Sequence, residues 1–154
     1  MTSDEALARE AIRKTVARYT RAVDNRRYEE LRDVFLPEGS FAVQGGARLD
    51  GVEAIITAFR AGAVKRAAAE PGNFQRHNLT SSMIEITGPD EAQSIHYVMV
   101  VTELGFDHVG MYQDIFRRRG DEWLIHERTA SMEWVRPDSR FAAWLGAAAP
   151  AAFF

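Results

Sequence analysis

The chain has 154 residues, of which 46% are hydrophobic and 27% are charged, and its formal net charge is −3. This composition is typical of a folded globular domain, and the small negative charge does not favour nucleic acid as a partner. The absence of cysteine excludes disulfides, thiolate metal sites and a cysteine nucleophile.

The start of the chain predicts a helix rather than a targeting segment. Thr2 and Glu5 have the spacing of a capping box. Apolar residues then recur every three or four positions to about Asp24, which predicts one buried helical stripe. The first ten residues are acidic and polar, and no apolar run is long enough for a membrane span. We therefore expect no signal peptide, no membrane contact and a cytoplasmic location.

Two more helices are predicted before the pattern changes. A short helix is expected after residue 27, and a third helix from about Asp50. Residues 40–44 between them have the pattern of a short strand that ends in a glycine turn. Residues 62–76 show no periodicity, so we expect a long irregular loop there.

From residue 77 onward the sequence alternates between polar and apolar positions. This alternation predicts four long strands, near 77–87, 92–104, 108–119 and 122–134. Their short connections indicate an antiparallel meander. Helices followed by a sheet predict an α+β fold. Residues 136–154 restart a helical pattern and end in an apolar tail.

Three segments resemble the nuclear transport factor two-like superfamily, and within it the SnoaL-like group. They are YTRAVDNRRYEELRDVF, RHNLTSSMIEI and GMYQDIFRRRGDEWLIHER, and the similarity runs over residues 8–135. The resemblance implies that residues 1–135 form one cone-shaped domain. Its strongly curved mixed or antiparallel sheet would wrap around the N-terminal helices and enclose a pocket. Residues 136–154 would then pack on the same domain or on a neighbouring subunit.

The same resemblance implies a catalytic pair, Asp24 and His77. In scytalone dehydratase and hexachlorocyclohexane dehydrochlorinase, both members of the group, an aspartate and a histidine at these two positions pair with each other. A carboxylate bonded to one imidazole nitrogen fixes the tautomer and stabilises the cation formed when the ring accepts a proton. The residues alone leave an alternative open, in which Asp24 is a solvent-facing turn residue beside Arg26 and Arg27.

Strand parity and the resemblance together predict the remaining pocket residues. If His77 faces inward, alternate residues of its strand do so too. Arg128 matches a pocket position in the dehydrochlorinase, and we expect it to be a third catalytic residue that receives negative charge. The expected substrate-binding residues are Tyr19, Tyr112, Ser81, Met83, His96, Phe116, Met132 and Trp134. His108 is expected to be solvated at a hairpin entry. No ligand spacing for a metal is present, and we expect no metal and no cofactor.

The substrate-holding positions differ from both relatives. The dehydratase has a tyrosine where this chain has Val23, and a second histidine where it has Thr102. The dehydrochlorinase has a lysine at the position of Tyr19. The resemblance therefore implies the catalytic pair and not the substrate of either enzyme.

These observations predict a cofactor-independent lyase or isomerase, dehydratase-like in chemistry, that acts on a small apolar cyclic molecule. Two alternatives remain: a polyketide-type cyclase or hydratase with the same pair, and a non-catalytic binding or structural subunit of a ring-hydroxylating dioxygenase. The long strands carry apolar residues on both faces, as in Ile95 and Tyr97 opposite Val98 and Val100. One face would then be covered by another copy, so we expect a homodimer or homotrimer.

Overall fold

A computed structural model describes residues 2–69, 74–139 and 141, with the backbone alone for 66–69. Two α-helices, a short 3₁₀ helix and six strands follow one another along the chain. In chain order they are α1 (Ser3–Asp24), the 3₁₀ helix (Tyr28–Asp33), β1 (Phe35–Val43), β2 (Arg48–Asp50), α2 (Val52–Ala69), β3 (Gln75–Ile86), β4 (Glu91–Thr102), β5 (Gly105–Arg119) and β6 (Glu122–Val135).

Helix α1 begins where the sequence predicts. The Thr2 hydroxyl accepts a hydrogen bond from the Glu5 backbone N–H, and the Glu5 carboxylate accepts one from the Thr2 N–H. These two bonds satisfy donors that have no partner within the helix. The helix ends at Asp24, and the left-handed backbone of Arg26, with φ of 59°, turns the chain away.

The six strands form one curved, open sheet in the order β2-β1-β6-β5-β4-β3. Strands β3 to β6 are the predicted antiparallel meander, and β1 pairs in parallel with β6. Helix α1 packs against β3 and β6, and α2 packs against β1. The predicted α+β class with N-terminal helices on one face of the sheet is confirmed.

Two of the predicted segments differ from the structure, and a third lies largely outside the described residues. Helix α2 runs to Ala69, because the alanine-rich end of its sequence favours helix, so the loop predicted over 62–76 is wrong for its first half. The second helix is a single 3₁₀ segment, and Phe35 already belongs to β1. The helix predicted over 136–154 lies largely outside the described residues, of which 136–139 and 141 are not helical.

Four β-bulges among strands β3 to β6 change which residues face the helices. Each inserts one extra residue and so reverses the alternation of side chains beyond it. In β3 the register shifts between Leu79 and Ser82. In β5 the extra residue is Asp107, opposite β4, and in β6 the extra residues are His126 and Glu133, opposite β5.

Within the described ranges, neither helix combines the length and apolar character that crossing a bilayer requires.

Candidate active site

A cavity lies between the helices and the concave face of the sheet. Its walls are mostly aromatic and aliphatic, with two histidines and a glutamine among them. The lining residues are Tyr19, Val23, Tyr28, Phe41, Phe59, Gly62, Gln75, His77, His108, Tyr112, Ala130, Met132 and Phe141. The enclosed volume is about 50 Å³, well below the roughly 150 Å³ of an apolar cavity known to hold benzene. A ring compound would therefore need lining side chains to move aside.

Asp24 and His77 are in direct contact at the wall of this cavity. His77 Nδ1 lies 2.6 Å from Asp24 Oδ1, and the His77 backbone N–H donates to Asp24 Oδ2 at 3.0 Å. The Asp24 side chain is 7% exposed and the His77 side chain is 10% exposed. A carboxylate only accepts hydrogen bonds, so Nδ1 carries the proton and Nε2 is left for the cavity. The alternative of a solvent-facing Asp24 is wrong.

The backbone explains why this aspartate needs the histidine. Asp24 is the last residue of α1, where the helix dipole disfavours a negative charge. The two donors from His77 compensate for that position, because both point at the carboxylate. The start of β3 is thereby fixed to the end of α1.

Two tyrosines form the next part of the wall. The Tyr19 and Tyr112 rings meet edge to face, with centroids 5.9 Å apart, and Tyr112 lies 6.5 Å from the His77 ring. Burial is the main cause that raises the pKa of Tyr19 to about 12, against the lowering effect of the Arg128 guanidinium. Burial likewise raises the pKa of Tyr112 well above its usual value. Both phenols therefore stay protonated and can only donate or accept hydrogen bonds.

Arg128 lies behind the tyrosines and does not line the cavity, which corrects its predicted role. Its guanidinium lies against both rings, 4.1 Å from the Tyr19 centroid and 4.4 Å from that of Tyr112. It donates two hydrogen bonds to Asp114, at 2.7 Å and 2.6 Å. Burial opposes its charge, but Asp114 and the tyrosines raise its pKa above the ordinary value. Arg128 thus contacts both tyrosines without lining the cavity.

His96 belongs to the same buried cluster and not to the cavity wall. Its two ring nitrogens are hydrogen-bonded to the hydroxyls of Ser82 and Ser94, each at 2.7 Å, and Nε2 lies 3.6 Å from Asp114 Oδ2. Burial lowers its pKa, and Arg128 acts in the same direction, against the raising effect of Asp114. The expectation that His96 contacts substrate is wrong, because every polar atom of the ring has a protein partner.

Three further expectations fail because of the bulges. Ser81 and Met83 face away from the cavity, since the extra residue in β3 reverses the parity counted from His77; Met83 is 66% exposed. Trp134 is outward for the same reason, beyond the bulge at Glu133 in β6, and is 40% exposed. Phe116 does face inward but lies in the core and not in the cavity wall.

His108 is the site residue that sequence reasoning missed. It is buried, lines the cavity, and its Nδ1 lies 2.6 Å from Asp107 Oδ1. The Phe141 ring packs against it with a centroid distance of 5.5 Å. Adjacent strand residues normally face opposite ways, and only the bulge lets Asp107 and His108 turn inward together. Gly110 indicates a bulge in this part of the sheet, but the bulge beside it is at Glu133 of β6, so no sequence signal marked the one at Asp107.

No group of three or more histidine, aspartate or glutamate side chains in the described part of the chain has an arrangement that could hold a metal ion.

Comparisons with known proteins agree with the fold. A family model for the SnoaL-like domain matches residues 4–129. No functionally curated protein matches the sequence. A nuclear transport factor two-like protein with a cystatin-like fold from Novosphingobium aromaticivorans is 24% identical, with a TM-score of 0.69 over 90% of this chain and 88% of that chain.

Two other solved structures have similar TM-scores. A candidate scytalone dehydratase from Novosphingobium aromaticivorans is 17% identical, with a TM-score of 0.72 over 86% of this chain and 88% of that chain. A protein from Catenulispora acidiphila in complex with S-DNPA is 23% identical, with a TM-score of 0.68 over 82% of this chain and 94% of that chain. At these identities the similarity establishes the fold and not the reaction.

Proposed function

The chain belongs to the SnoaL-like domain family, and on that premise we propose that it is a cofactor-independent lyase or isomerase with dehydratase-like chemistry. His77 is the base that removes a proton from a small apolar cyclic substrate, and Asp24 orients it. One observation carries this proposal: the 2.6 Å contact between Asp24 and His77 Nδ1 at the wall of an aromatic cavity.

The geometry gives each member of the pair a role. With Nδ1–H bonded to Asp24, the Nε2 lone pair of His77 is available to a C–H group in the cavity. The carboxylate then stabilises the imidazolium that forms. Tyr19 and Tyr112 remain phenols, so they can hydrogen-bond a substrate carbonyl oxygen as negative charge develops on it.

The cavity supports an apolar substrate of modest size. Its walls are largely aromatic, and its volume leaves room for one small ring only after rearrangement. The structurally similar candidate scytalone dehydratase and the Catenulispora acidiphila protein in complex with S-DNPA support small-molecule chemistry on this fold.

The test measures only the removal of a proton from carbon, without any later step of the reaction. Cyclohexanone, cyclohex-2-enone and 3-hydroxycyclohexanone are incubated with the protein in D₂O, and exchange at carbon is followed by NMR. We expect catalysed exchange with wild-type protein and a loss of about 100-fold or more in His77→Gln. His126→Gln, which changes a histidine on β6 outside the cavity, is the matched control. Equal exchange by wild-type and His77→Gln proteins would contradict the proposal.

We also infer that a second copy of the chain covers the outer face of the sheet. Large apolar side chains are exposed there, among them Tyr97, Met99, Phe106 and Trp134. Phe106 and Trp134 stack with centroids 5.4 Å apart, which makes a continuous apolar patch. Light scattering should give a mass of at least twice 17.3 kDa, and Tyr97→Lys should reduce it. A wild-type mass equal to one chain at micromolar concentration would contradict this inference.

A further inference from the structure

The cavity has a second histidine that is held by a carboxylate in the same way as His77. His108 Nδ1 lies 2.6 Å from Asp107 Oδ1, and both residues are buried. A carboxylate only accepts, so Nδ1 carries the proton toward Asp107 and Nε2 is the nitrogen left for the cavity. Two imidazoles thus border one small space, each with its own carboxylate.

Within the described part of the chain, the Asp107 carboxylate has few hydrogen-bond donors besides His108. Asp107 Oδ1 also accepts a hydrogen bond from the Ser139 hydroxyl at 2.7 Å. Asp107 Oδ2 is buried and has no hydrogen-bond partner among the described residues. The nearby Arg136 guanidinium is paired with Asp138 at 2.6 Å. A second proton on His108 would place an imidazolium directly against this carboxylate.

Strand register places the two histidines on opposite sides of one position. His77 of β3 pairs with Val100 of β4, and Val100 pairs with His108 of β5. Directly paired residues project to the same face of a sheet. Two strand spacings correspond to about 10 Å between the His77 and His108 backbones. A small molecule above Val100 would therefore have one imidazole on each side.

We propose that His108, held by Asp107, is the proton donor to the leaving oxygen in a dehydration whose base is His77. This assignment rests on the proposed function and adds a second catalytic residue to that same cavity; 3-hydroxycyclohexanone serves as the probe.

The step balances as a simple elimination. His77 Nε2 takes the proton from the carbon next to the carbonyl, and the C–H electron pair becomes the new carbon–carbon double bond. The bond between the neighbouring carbon and its hydroxyl oxygen breaks, and the oxygen leaves with that electron pair. The His108 Nε2–H supplies a proton to it, so that water and an unsaturated ketone are released. Solvent then takes the proton from His77 and gives a proton to His108, which restores both residues.

Tyr19 and Tyr112 in the wall cannot fill this role. The phenols of Tyr19 and Tyr112 hold their protons more tightly than free tyrosine, because both are buried. They can stabilise a carbonyl oxygen, but they are poor donors of a whole proton near neutral pH. Apart from the tyrosines and His77, His108 is the one ionisable group among the described lining residues.

The experiment compares two reactions that need different groups. Deuterium exchange into cyclohexanone requires the base, whereas conversion of 3-hydroxycyclohexanone to cyclohex-2-enone requires both the base and the acid. We expect His77→Gln to lower both rates. His108→Gln should lower dehydration about 100-fold more than it lowers exchange. The control is His126→Gln, and circular dichroism checks the fold of each variant.

Asp107→Asn tests the positioning residue. Loss of the carboxylate removes the charge that stabilises the His108 imidazolium, so the alkaline limb of the dehydration profile should move to lower pH. A purely structural role would lower the rate at every pH without moving that limb. An unmoved limb would contradict the assignment of Asp107.

The outcomes separate this inference from the proposed function. If His108→Gln slows dehydration and exchange by the same factor, the acid assignment is overturned while the His77 base stands. If wild-type protein catalyses exchange with none of the ketones, the proposed function fails and the inference fails with it. If His108→Gln does not fold, long-range ¹H–¹⁵N spectra of wild-type protein decide: a neutral His108 protonated at Nε2 would contradict its orientation by Asp107.

Discussion

Two polar clusters on the concave face of the sheet use the same kinds of side chain with different access. The cavity cluster consists of Asp24, His77, Asp107 and His108, and both of its imidazoles line the cavity. The buried cluster consists of Arg128, Asp114 and His96, and none of these lines the cavity.

The difference lies in how many polar atoms already have a protein partner. In the cavity cluster each imidazole has one nitrogen bonded to a carboxylate and the other left for a ligand. In the buried cluster both His96 nitrogens are bonded to serines, and Asp114 is occupied by two bonds from Arg128. Charge and burial are therefore not enough to identify a reactive group. We expect substitutions in the cavity cluster to change turnover and those in the buried cluster to change stability.

The largest expected effect is that of Asp24→Asn on turnover. The variant keeps the shape of the side chain but removes the charge that stabilises the His77 imidazolium and fixes its tautomer. Turnover of a substrate identified by the exchange assay should fall by up to about 10⁴-fold. Urea unfolding should show little change in stability, and His77→Gln combined with Asp24→Asn should be little worse than either alone. A large loss of stability with normal turnover would place this pair with the buried cluster.

Arg128→Met should have the opposite effect, a large loss of stability. It leaves the Asp114 carboxylate buried without its two donors, and both side chains are fully buried. The free energy of unfolding should fall by about 3–5 kcal/mol, and Arg128→Met with Asp114→Leu should recover much of it. Arg119→Met breaks an exposed pair with Glu38 and is the control, with little change expected. Normal stability of the single Arg128 variant in urea would contradict the comparison.

Much of the fold follows from the sequence because its signals are local and periodic. The capping box at Thr2 and Glu5, the apolar stripe of α1 and the alternation in the four long strands all recur in the structure. The Asp24–His77 contact spans 53 positions, and local patterns hold no information about it. Only the family resemblance brought those two residues together.

The errors in the predicted site arise mainly from the bulges. Counting parity from His77 gives the wrong side for Met83, and counting along β6 gives the wrong side for Trp134. The same effect hid the Asp107–His108 pair, because two adjacent residues of a regular strand would not share a face. A bulge depends on how two strands fit together, which a single strand's sequence does not specify.

Gly110→Ala tests how firmly the backbone holds the cavity cluster. A methyl group at Gly110 would collide with the Ser131 carbonyl oxygen, next to the β6 bulge at Glu133. We expect the free energy of unfolding to fall by about 1–3 kcal/mol. Gly88→Ala is the control, because its new methyl would make only an ordinary contact of 3.8 Å with Glu91. Equal urea midpoints for the two variants would show that β5 and β6 can adjust there without cost.

The smallest expected effect concerns His96 and pH, and its sign distinguishes the two clusters. The groups facing this ring are Ser82 from β3, Ser94 from β4, Asp114 from β5 and Arg128 from β6. Burial, with Arg128, lowers its pKa in the folded protein, whereas the unfolded chain has the ordinary value near 6.5. The unfolded state therefore binds more protons as the pH falls. The stability contributed by neutral His96 is present above about pH 6.5 and is lost as the pH falls through the lowered folded value.

Urea unfolding between pH 7.5 and 5.5 measures this loss. The slope of stability against pH should be smaller in His96→Gln than in wild-type protein, because glutamine does not titrate, while His126→Gln should keep a wild-type slope. If removing His96 made the slope steeper, the attraction of Asp114 would exceed the effect of burial. The ring would then be a cation held by Asp114.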